Sequence, residues 1–375
     1  MEPPRKRFTK KGIKVDASRL SDAAAALEQG LLSRVVGQDR AIREFVRAFE
    51  MVQAGLNEPG RPLGVFLFLG PSGCGKTRIV EAVCEILFGT PKAMIKVDCG
   101  EFQRSHETAK LLGAPAGYIG HRETHPIITQ EALSAYHTDK HQFSFLLFDE
   151  IEKANDALLQ LLLGITDKAT LTLGDNRKVD LSKVVIIMTS NLGSKPISRL
   201  MAGNDFGFHP DGERHEALDK EIYEVSMSEV KRHFAPELIG RIDRVTVFRP
   251  LSRESLRKIL DIELSNLQTR LMSKSIFLDV SERAKDFLLA ESDDARQGAR
   301  HVKKNIRRFI SAKLASIIAT HQAEYGDRVL ADREPNDDEL TFYVHKVPVL
   351  PPAPPLPEMD LSGLFNHGIP EVGGL

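Results

Sequence analysis

The chain has 375 residues, of which 42% are hydrophobic and 27% are charged, and its formal net charge is −1. A chain of this length is too long for one domain with a single core, so it predicts two domains plus tails. A net charge near zero excludes a global attraction to nucleic acid or anionic membranes. Three cysteines form no disulfide framework, and no apolar run reaches the roughly 18 residues of a membrane span, so we expect a cytoplasmic protein without a membrane partner.

The first segment, residues 1–30, combines a basic tail with a short helix. The opening letters MEPPRKRFTKKG have no apolar core behind them, so they do not form a secretory signal. The pattern of residues 16–30 predicts a helix that ends at Gly30.

Residues 31–249 alternate short apolar runs with helical patterns. Predicted strands lie at residues 65–69, 94–98, 143–148, 184–190 and 244–248, and the clearest helical patterns lie at 78–88 and 154–165. Continuous apolar runs suit strands that are buried on both faces of a parallel sheet. The predicted fold is therefore α/β, with a parallel sheet and flanking helices.

Pro250 marks a change of pattern. Residues 250–347 are mostly helical and include the short strand candidates SIFLDV, DRVLAD and LTFYVH, which together predict a smaller second domain. Residues 348–375 form a proline-rich tail that favours polyproline conformation over helix or sheet.

The stretch GPSGCGKT, residues 70–77, follows a predicted strand and precedes a predicted helix. It matches the phosphate-loop pattern in the context that the pattern requires. Backbone N–H groups of such a loop wrap phosphates, Lys76 reaches the β- and γ-phosphates, and the Thr77 hydroxyl ligates Mg²⁺. The stretch therefore predicts an ATP site.

Polar side chains end two of the other predicted strands. FSFLLFDE ends in Asp149 and Glu150, where the first carboxylate can hold Mg²⁺ and the second can activate the attacking water. VVIIMTSN ends in Asn191, whose amide can help to position that water.

Six motifs in order give the chain a resemblance to the Clp-type AAA+ protein unfoldases (ClpA, ClpB and ClpC), specifically to their second ATPase module alone. The resemblance runs from about residue 34 to 346. The motifs are VVGQDRAI (35–42), GPSGCGKT (70–77), LLFDEIEKA (146–154), MTSNLGS (188–194), PELIGRID (236–243) and QGARHVKK (297–304).

This resemblance implies a nucleotide site built from several motifs. It implies that Asn191 senses the γ-phosphate, that Arg300 reaches the nucleotide from the helical domain, and that Arg241 reaches the ATP of a neighbouring subunit. The shared site implies a homo-oligomeric ring, usually a hexamer. The implied nucleotide-binding residues are Val35, Val36, Gly70, Pro71, Ser72, Gly73, Cys74, Gly75, Lys76, Thr77, Arg78 and Asp149.

GAPAGYIG, residues 113–120, resembles the pore loop of this family. An aromatic side chain between glycines predicts a loop, and a tyrosine offers a large apolar face that grips polypeptide with little loss of side-chain entropy. The resemblance implies that protein substrates are held by Gly117, Tyr118, Ile119 and Gly120. A tyrosine that packs locally under its own loop is the structural alternative.

The predicted function is an ATP-dependent unfoldase that threads polypeptide through a ring pore. HRETHP (121–126) departs from the family pattern after the pore loop and keeps open a remodeller that dissociates one protein partner without threading. A nucleic-acid motor or loader is disfavoured by the neutral charge, and an inactive scaffold by the intact Asp149–Glu150 pair.

A second loop lies where protease-docking members of the family carry a hydrophobic tripeptide. Phe206-Gly207-Phe208 could dock a Clp-type peptidase, although a loop anchored by its own phenylalanines is the simpler interpretation. An adaptor is a further partner that the resemblance allows.

Overall fold

The computed structural model describes residues 16, 19–113, 125–204, 212–290, 298–334, 337 and 339–346. The predicted pore-loop residues Gly117, Tyr118, Ile119 and Gly120, the stretch 206–208, the basic segment 1–15 and the tail 348–375 lie outside the described residues. Within the described chain, no helix is long and apolar enough to span a bilayer.

The larger part of the fold is a parallel sheet with helices on both sides. Its strands are β1 (Gly64–Leu69), β2 (Met94–Asp98), β3 (Ser144–Asp149), β4 (Thr170–Thr172), β5 (Lys178–Asp180), β6 (Val184–Ser190) and β7 (Arg244–Val247). Its helices are α1 (Asp22–Leu32), α2 (Asp39–Gln53), α3 (Lys76–Phe88), α4 (Ala109–Leu112), α5 (Gln130–Ser134), α6 (Asp156–Lys168), α7 (Ser194–Asn204), α8 (Gly212–His233) and α9 (Pro236–Ile239).

Five strands pair in parallel in the order β2-β3-β6-β1-β7, which confirms the predicted α/β fold class. Every residue of β1, β3 and β6 is buried, as the uninterrupted apolar runs predicted. Because the strands are parallel, the carboxyl ends of β1, β3 and β6 meet at one edge of the sheet. The residues that follow these ends are therefore brought together.

Two local features differ from the predictions. Helix α1 begins at Asp22, where the Ser21 hydroxyl caps it by accepting a bond from the Ala24 N–H, and it continues past Gly30 to Leu32. The predicted end at Gly30 was wrong because the next turn buries Leu31 completely in the core. Strands β4 and β5 form an antiparallel hairpin that was not predicted.

The smaller part of the fold follows β7. It contains helices α10 (Arg253–Met272), α11 (Glu282–Ala290), α12 (Ala299–Asn305) and α13 (Ala312–Ala319) and strands β8 (Phe277–Val280), β9 (Arg328–Asp332) and β10 (Thr341–His345). The strands pair in the order β10-β9-β8 and share a separate apolar core with the helices. We refer to this part as the lid domain.

Candidate functional site

A pocket of about 560 Å³ lies between the carboxyl edge of the parallel sheet and the lid domain. Residues from both domains line it, including Lys76, Glu150, Asn191 and Arg300. A larger groove of about 880 Å³ elsewhere is lined by several arginines and carboxylates but by none of the predicted site residues. We therefore take the smaller pocket as the candidate site.

Lys76 begins α3 and is almost completely buried. Its ammonium Nζ donates to the Gly70 carbonyl at 2.6 Å, to the Pro71 carbonyl at 2.8 Å and to the Asn191 Oδ1 at 2.9 Å. All three ammonium protons are therefore used. Burial lowers the pKa of Lys76, while nearby carboxylates favour its charged form. An anion that enters the pocket finds a cation that is already oriented.

Asp149 ends β3 and is held by several donors. Its carboxylate pairs with the Lys96 ammonium at 2.8 Å, accepts a bond from the buried Thr189 hydroxyl and lies 3.2 Å from the Thr77 hydroxyl. Burial acts to raise the pKa of Asp149, but bonds from Lys96, Thr189 and Thr77 outweigh it and hold the pKa below its ordinary value. Asp149 is thus kept as a carboxylate beside Thr77, and the two side chains offer the oxygen ligands that Mg²⁺ prefers.

Glu150 follows β3 with a left-handed backbone conformation, φ +59°. Its N–H donates to the Thr189 hydroxyl at 3.1 Å, and its carboxylate forms an ion pair with Lys153. Glu150 also lines the pocket. This arrangement raises the pKa of Lys153 through the bond to Glu150. Glu150 is therefore anchored by its backbone and has a side chain that can face a pocket ligand.

Asn191 follows β6 and forms hydrogen bonds with Glu152, which lies just after β3, and with Lys76. Its N–H and its Nδ2 both donate to the Glu152 Oε1, at 3.1 and 3.0 Å, and its Oδ1 accepts the bond from Lys76. The amide is consequently fixed in one orientation between a carboxylate and an ammonium.

The lid domain contacts the phosphate-loop residues directly. The Arg300 Nη1 donates to the Ser72 hydroxyl at 3.0 Å, and the Ala299 N–H donates to the Gly73 carbonyl at 3.1 Å. Arg300 therefore reaches the pocket from the start of α12 and adds a cation from the lid domain to it.

Apolar side chains from both domains also line the pocket. Val35 and Val36 line it together with Leu251, Ile259 and Ile262. Such a surface suits the flat apolar face of a nucleotide base. The remaining phosphate-loop residues of the predicted set lie at the same pocket, which is lined by Ser72, Gly73, Cys74, Gly75, Thr77 and Arg78.

Two predicted binding residues act differently from the rest. Gly70 and Pro71 contribute carbonyls to Lys76 and are not among the lining residues. Burial raises the pKa of the Cys74 thiol despite the neighbouring Lys76, so this side chain is a neutral group that fills space beneath the loop.

Among the residues that the structure describes, Arg241 is not one of those that line this pocket. Its guanidinium pairs with Asp167 at 2.7 Å, and its carbonyl accepts a bond from Arg61 at 3.1 Å. One pocket of this chain is thus lined by Lys76, Thr77, Asp149, Glu150, Asn191 and Arg300, whereas Arg241 points elsewhere.

Sequence reasoning missed four polar residues that support the site. Lys96 and Thr189 bond to Asp149, Glu152 bonds to Asn191, and Gln38 bonds to the Cys74 carbonyl. Lys96 and Thr189 are polar residues inside otherwise apolar strands, which is the signal that could have found them. Glu152 and Gln38 stand within quoted motifs, but nothing in their spacing shows their partners.

Comparison with known proteins agrees with these two domains. A family model described as AAA domain (Cdc48 subfamily) matches residues 61–245, and one described as the C-terminal, D2-small domain of ClpB protein matches residues 251–331. The chain is similar to the chaperone protein ClpB of Aquifex aeolicus, with 37% identity over 319 residues that cover 84% of this chain and 30% of the relative.

Other relatives give the same result. The ATP-dependent Clp protease ATP-binding subunit ClpC of Staphylococcus aureus (strain USA300) is 36% identical over 315 residues, covering 84% of this chain and 37% of the relative. A solved structure described as "Closed State CryoEM Reconstruction of Hsp104:ATPyS and FITC casein" superposes with a TM-score of 0.68 and 32% identity, over 87% of this chain and 53% of that chain.

The chain spans about a third of the length of the curated relatives that it matches. The two family models cover parts of both the parallel-sheet domain and the lid domain, and they include the residues that line the pocket except Arg34, Val35 and Val36. The chain therefore belongs to the Clp-type AAA+ ATPases and corresponds to their second ATPase module, a nucleotide-binding unit.

Proposed function

We propose that this chain hydrolyses ATP and uses the energy to unfold and translocate polypeptide as a subunit of a hexameric ring. One observation carries the proposal: a cationic loop, two strand-end carboxylates, an amide and a lid arginine converge on a single pocket between two domains. That set contains what phosphoryl transfer needs, which is charge stabilisation together with a positioned base.

The proposed roles follow from the contacts. To bind the phosphates together with the loop N–H groups, Lys76 gives up one of its three bonds, and Thr77 and Asp149 would hold Mg²⁺. When bound, Mg²⁺ neutralises negative charge that develops on the phosphate oxygens. Asp149 stays ionised for this task because its donors outweigh the effect of burial on its pKa.

Glu150 is proposed to accept a proton from the attacking water. Its backbone is anchored by Thr189, so the side chain can swing between Lys153 and the pocket without moving the strand. Asn191 orients the γ-phosphate or the water, because its amide is already fixed by Glu152 and Lys76.

Arg241 is proposed to act on the ATP of a neighbouring subunit. Its absence from the residues that line its own pocket favours that direction, and its ion pair with Asp167 would open for that contact. A head-to-tail contact of this kind forms a ring when its rotation closes, which is the arrangement proposed here. Protein substrates are supported by the similar Hsp104 structure, which is described with FITC casein.

The first test is the mass of the Glu150→Gln variant, measured by light scattering with and without MgATP. Because this variant binds ATP but does not activate water, it should shift from a monomer to a ring of about six subunits. Lys76→Ala is the matched control, which should stay monomeric because it lacks the phosphate-binding ammonium. A Glu150→Gln monomer at saturating MgATP would refute the shared site.

Tyr118→Ala separates threading from remodelling without threading. Threading predicts that the variant keeps ATPase activity but no longer unfolds a fluorescent protein that carries an unstructured tag. Tyr136→Ala is the control, because Tyr136 is another tyrosine with 41% exposure and lies outside the motif. Unfolding at the normal rate by Tyr118→Ala would favour the remodeller.

Three further expectations remain proposals. A cytoplasmic location is supported by the unpaired cysteines Cys74, Cys84 and Cys99, which suit a reducing compartment. A Clp-type peptidase or an adaptor would be an additional partner, and a nucleic-acid partner is not expected from the neutral charge.

A further inference from the structure

Gln38 is a buried amide whose hydrogen-bonding groups are all engaged. Its side chain precedes α2 and is only 4% exposed. The Nε2 donates to the Cys74 carbonyl at 2.9 Å and to the Arg249 carbonyl at 2.8 Å, and the Oε1 accepts a bond from the Arg249 N–H at 3.3 Å. One side chain thus joins two segments that are far apart in the sequence.

The first of these segments is the phosphate-binding loop. The carbonyl of one residue and the N–H of the next point in opposite directions across a trans peptide. By holding the Cys74 carbonyl, Gln38 therefore directs the Gly75 N–H away from itself. Because Gly75 and Cys74 both line the pocket, this bond sets the orientation of a phosphate-binding N–H group.

The second segment is the connection between the two domains. Arg249 lies between the end of β7 at Val247 and the start of α10 at Arg253, so Gln38 holds the connection by both its N–H and its carbonyl. The Arg249 guanidinium also pairs with Asp219 on α8. The connection is therefore anchored next to the loop rather than free to move alone.

The residue before Gln38 contacts the lid domain itself. Gly37 has φ +74°, and a Cβ at this position would lie 2.5 Å from the Ser255 hydroxyl and 3.2 Å from the Leu251 side chain. The chain at Gly37 therefore packs closely against the first turn of α10. Gly37 and Gln38 together contact the lid, the connection and the phosphate loop.

We propose that Gln38 is a positioning residue that orients the phosphate loop. Through its bonds to Arg249 it also couples the presence of nucleotide in the loop to the position of the lid domain. This inference rests on the proposed nucleotide site. A phosphate that draws the loop toward itself moves the Cys74 carbonyl. If the Gln38 amide follows that carbonyl, its bonds to Arg249 must change. If it does not follow, the buried Cys74 carbonyl loses its hydrogen-bond donor, which is costly.

The test compares Gln38→Met with Gln53→Met. Methionine keeps the length of the side chain but has no donor, and Gln53 is an exposed glutamine at the end of the same helix α2. Nucleotide affinity is measured with a fluorescent ADP analogue. Lid movement is measured by energy transfer between dyes on Lys140→Cys and Tyr325→Cys, which are exposed positions, while the native cysteines are buried.

The expected result has two parts. Gln38→Met should bind the ADP analogue about tenfold more weakly, as for the loss of one oriented hydrogen bond to a charged group. At saturating nucleotide it should also lose more than half of the change in energy transfer. Gln53→Met should match the parent in both measurements.

A packing role alone predicts a different result. If Gln38→Met melts at a lower temperature yet keeps the parental affinity and lid response, the inference is overturned. The second variant is Gln38→Glu, which has the same shape but presents an acceptor to both carbonyls. The same two measurements on this variant test the inference if the methionine variant does not fold. A parent protein that binds no nucleotide would instead refute the proposed function.

Discussion

Gly298, the residue before α12, permits a close approach between the lid domain and the phosphate loop. Its backbone has φ +51°, and a Cβ would lie 2.8 Å from the Gly73 carbonyl oxygen and 3.3 Å from the Ser72 carbonyl oxygen. Both near atoms are backbone and cannot rotate away. The change Gly298→Ala should therefore force the lid off the loop.

The expected magnitude follows from these distances. A Cβ contact tighter than about 3.4 Å is rare, so the two segments must separate by about 0.6 Å. That shift stretches the bond from the Ala299 N–H to the Gly73 carbonyl from 3.1 Å to about 3.7 Å, beyond hydrogen-bonding range. With the exposed bond from Arg300 to Ser72 also broken, the closed lid loses about 2 kcal/mol, or about 30-fold in nucleotide affinity.

The assay is a titration with a fluorescent ADP analogue, accompanied by thermal melting. Gly326→Ala is the matched control: Gly326 lies in the same domain with φ +89°, but a Cβ there meets nothing within 4 Å. Both variants introduce a side chain at positive φ, which costs each about 1 kcal/mol of stability. Gly298→Ala should melt at a lower temperature than Gly326→Ala, because it also separates the lid from the loop. Only Gly298→Ala should lose affinity.

Two results would refute this reasoning. Binding by Gly298→Ala within threefold of the parent would show that lid contact does not support the nucleotide. An equal loss of affinity in Gly298→Ala and Gly326→Ala would trace the effect to backbone strain instead of to the contact.

Three further predictions concern the strand ends and the proposed subunit interface. Thr189→Val should lower the free energy of unfolding by about 1–3 kcal/mol, because it removes a buried donor to Asp149; an unchanged urea midpoint would contradict this. Lys96→Met in EDTA should have a lower free energy of unfolding than the parent above about pH 4. This difference should disappear as the pH falls through the lowered pKa of Asp149, because a protonated Asp149 no longer forms an ion pair with Lys96. Neither Arg241→Ala nor Lys76→Ala alone should hydrolyse ATP, but a mixture should recover part of the rate if Arg241 acts across an interface, and no recovery would place it in its own site.

The fold class was predictable because its signals are local. Continuous apolar runs at residues 65–69 and 184–190 coincide with strands β1 and β6 almost residue for residue, since a buried parallel strand tolerates few polar side chains. Residues 94–98 also form a strand, but the expected burial on both faces was wrong, because β2 lies at the edge of the sheet and only Val97 is buried. The end of α1 was not predictable from Gly30, because burial of Leu31 outweighs the weak helix propensity of glycine.

Parts of the site were predictable for a related reason. Asp149 ends β3, and Lys76 begins the helix that follows β1 and the phosphate loop; parallel strands bring their ends to one edge wherever the chain folds in this way. The partners of these residues were not predictable. Lys96 reaches Asp149 because β2 pairs beside β3, and strand order is a long-range property that no window of sequence contains.

By itself, then, the sequence determined the α/β architecture, the phosphate loop and the carboxylate pair, because each depends on neighbours within a few residues. Only the tertiary structure decided that Arg300 and Gly298 of the lid touch Ser72 and Gly73, and that Gln38 joins the loop to the interdomain connection at Arg249. Such contacts join residues up to 228 positions apart. They arise from the packing of complete domains, which fixes distances between segments that are unrelated in sequence.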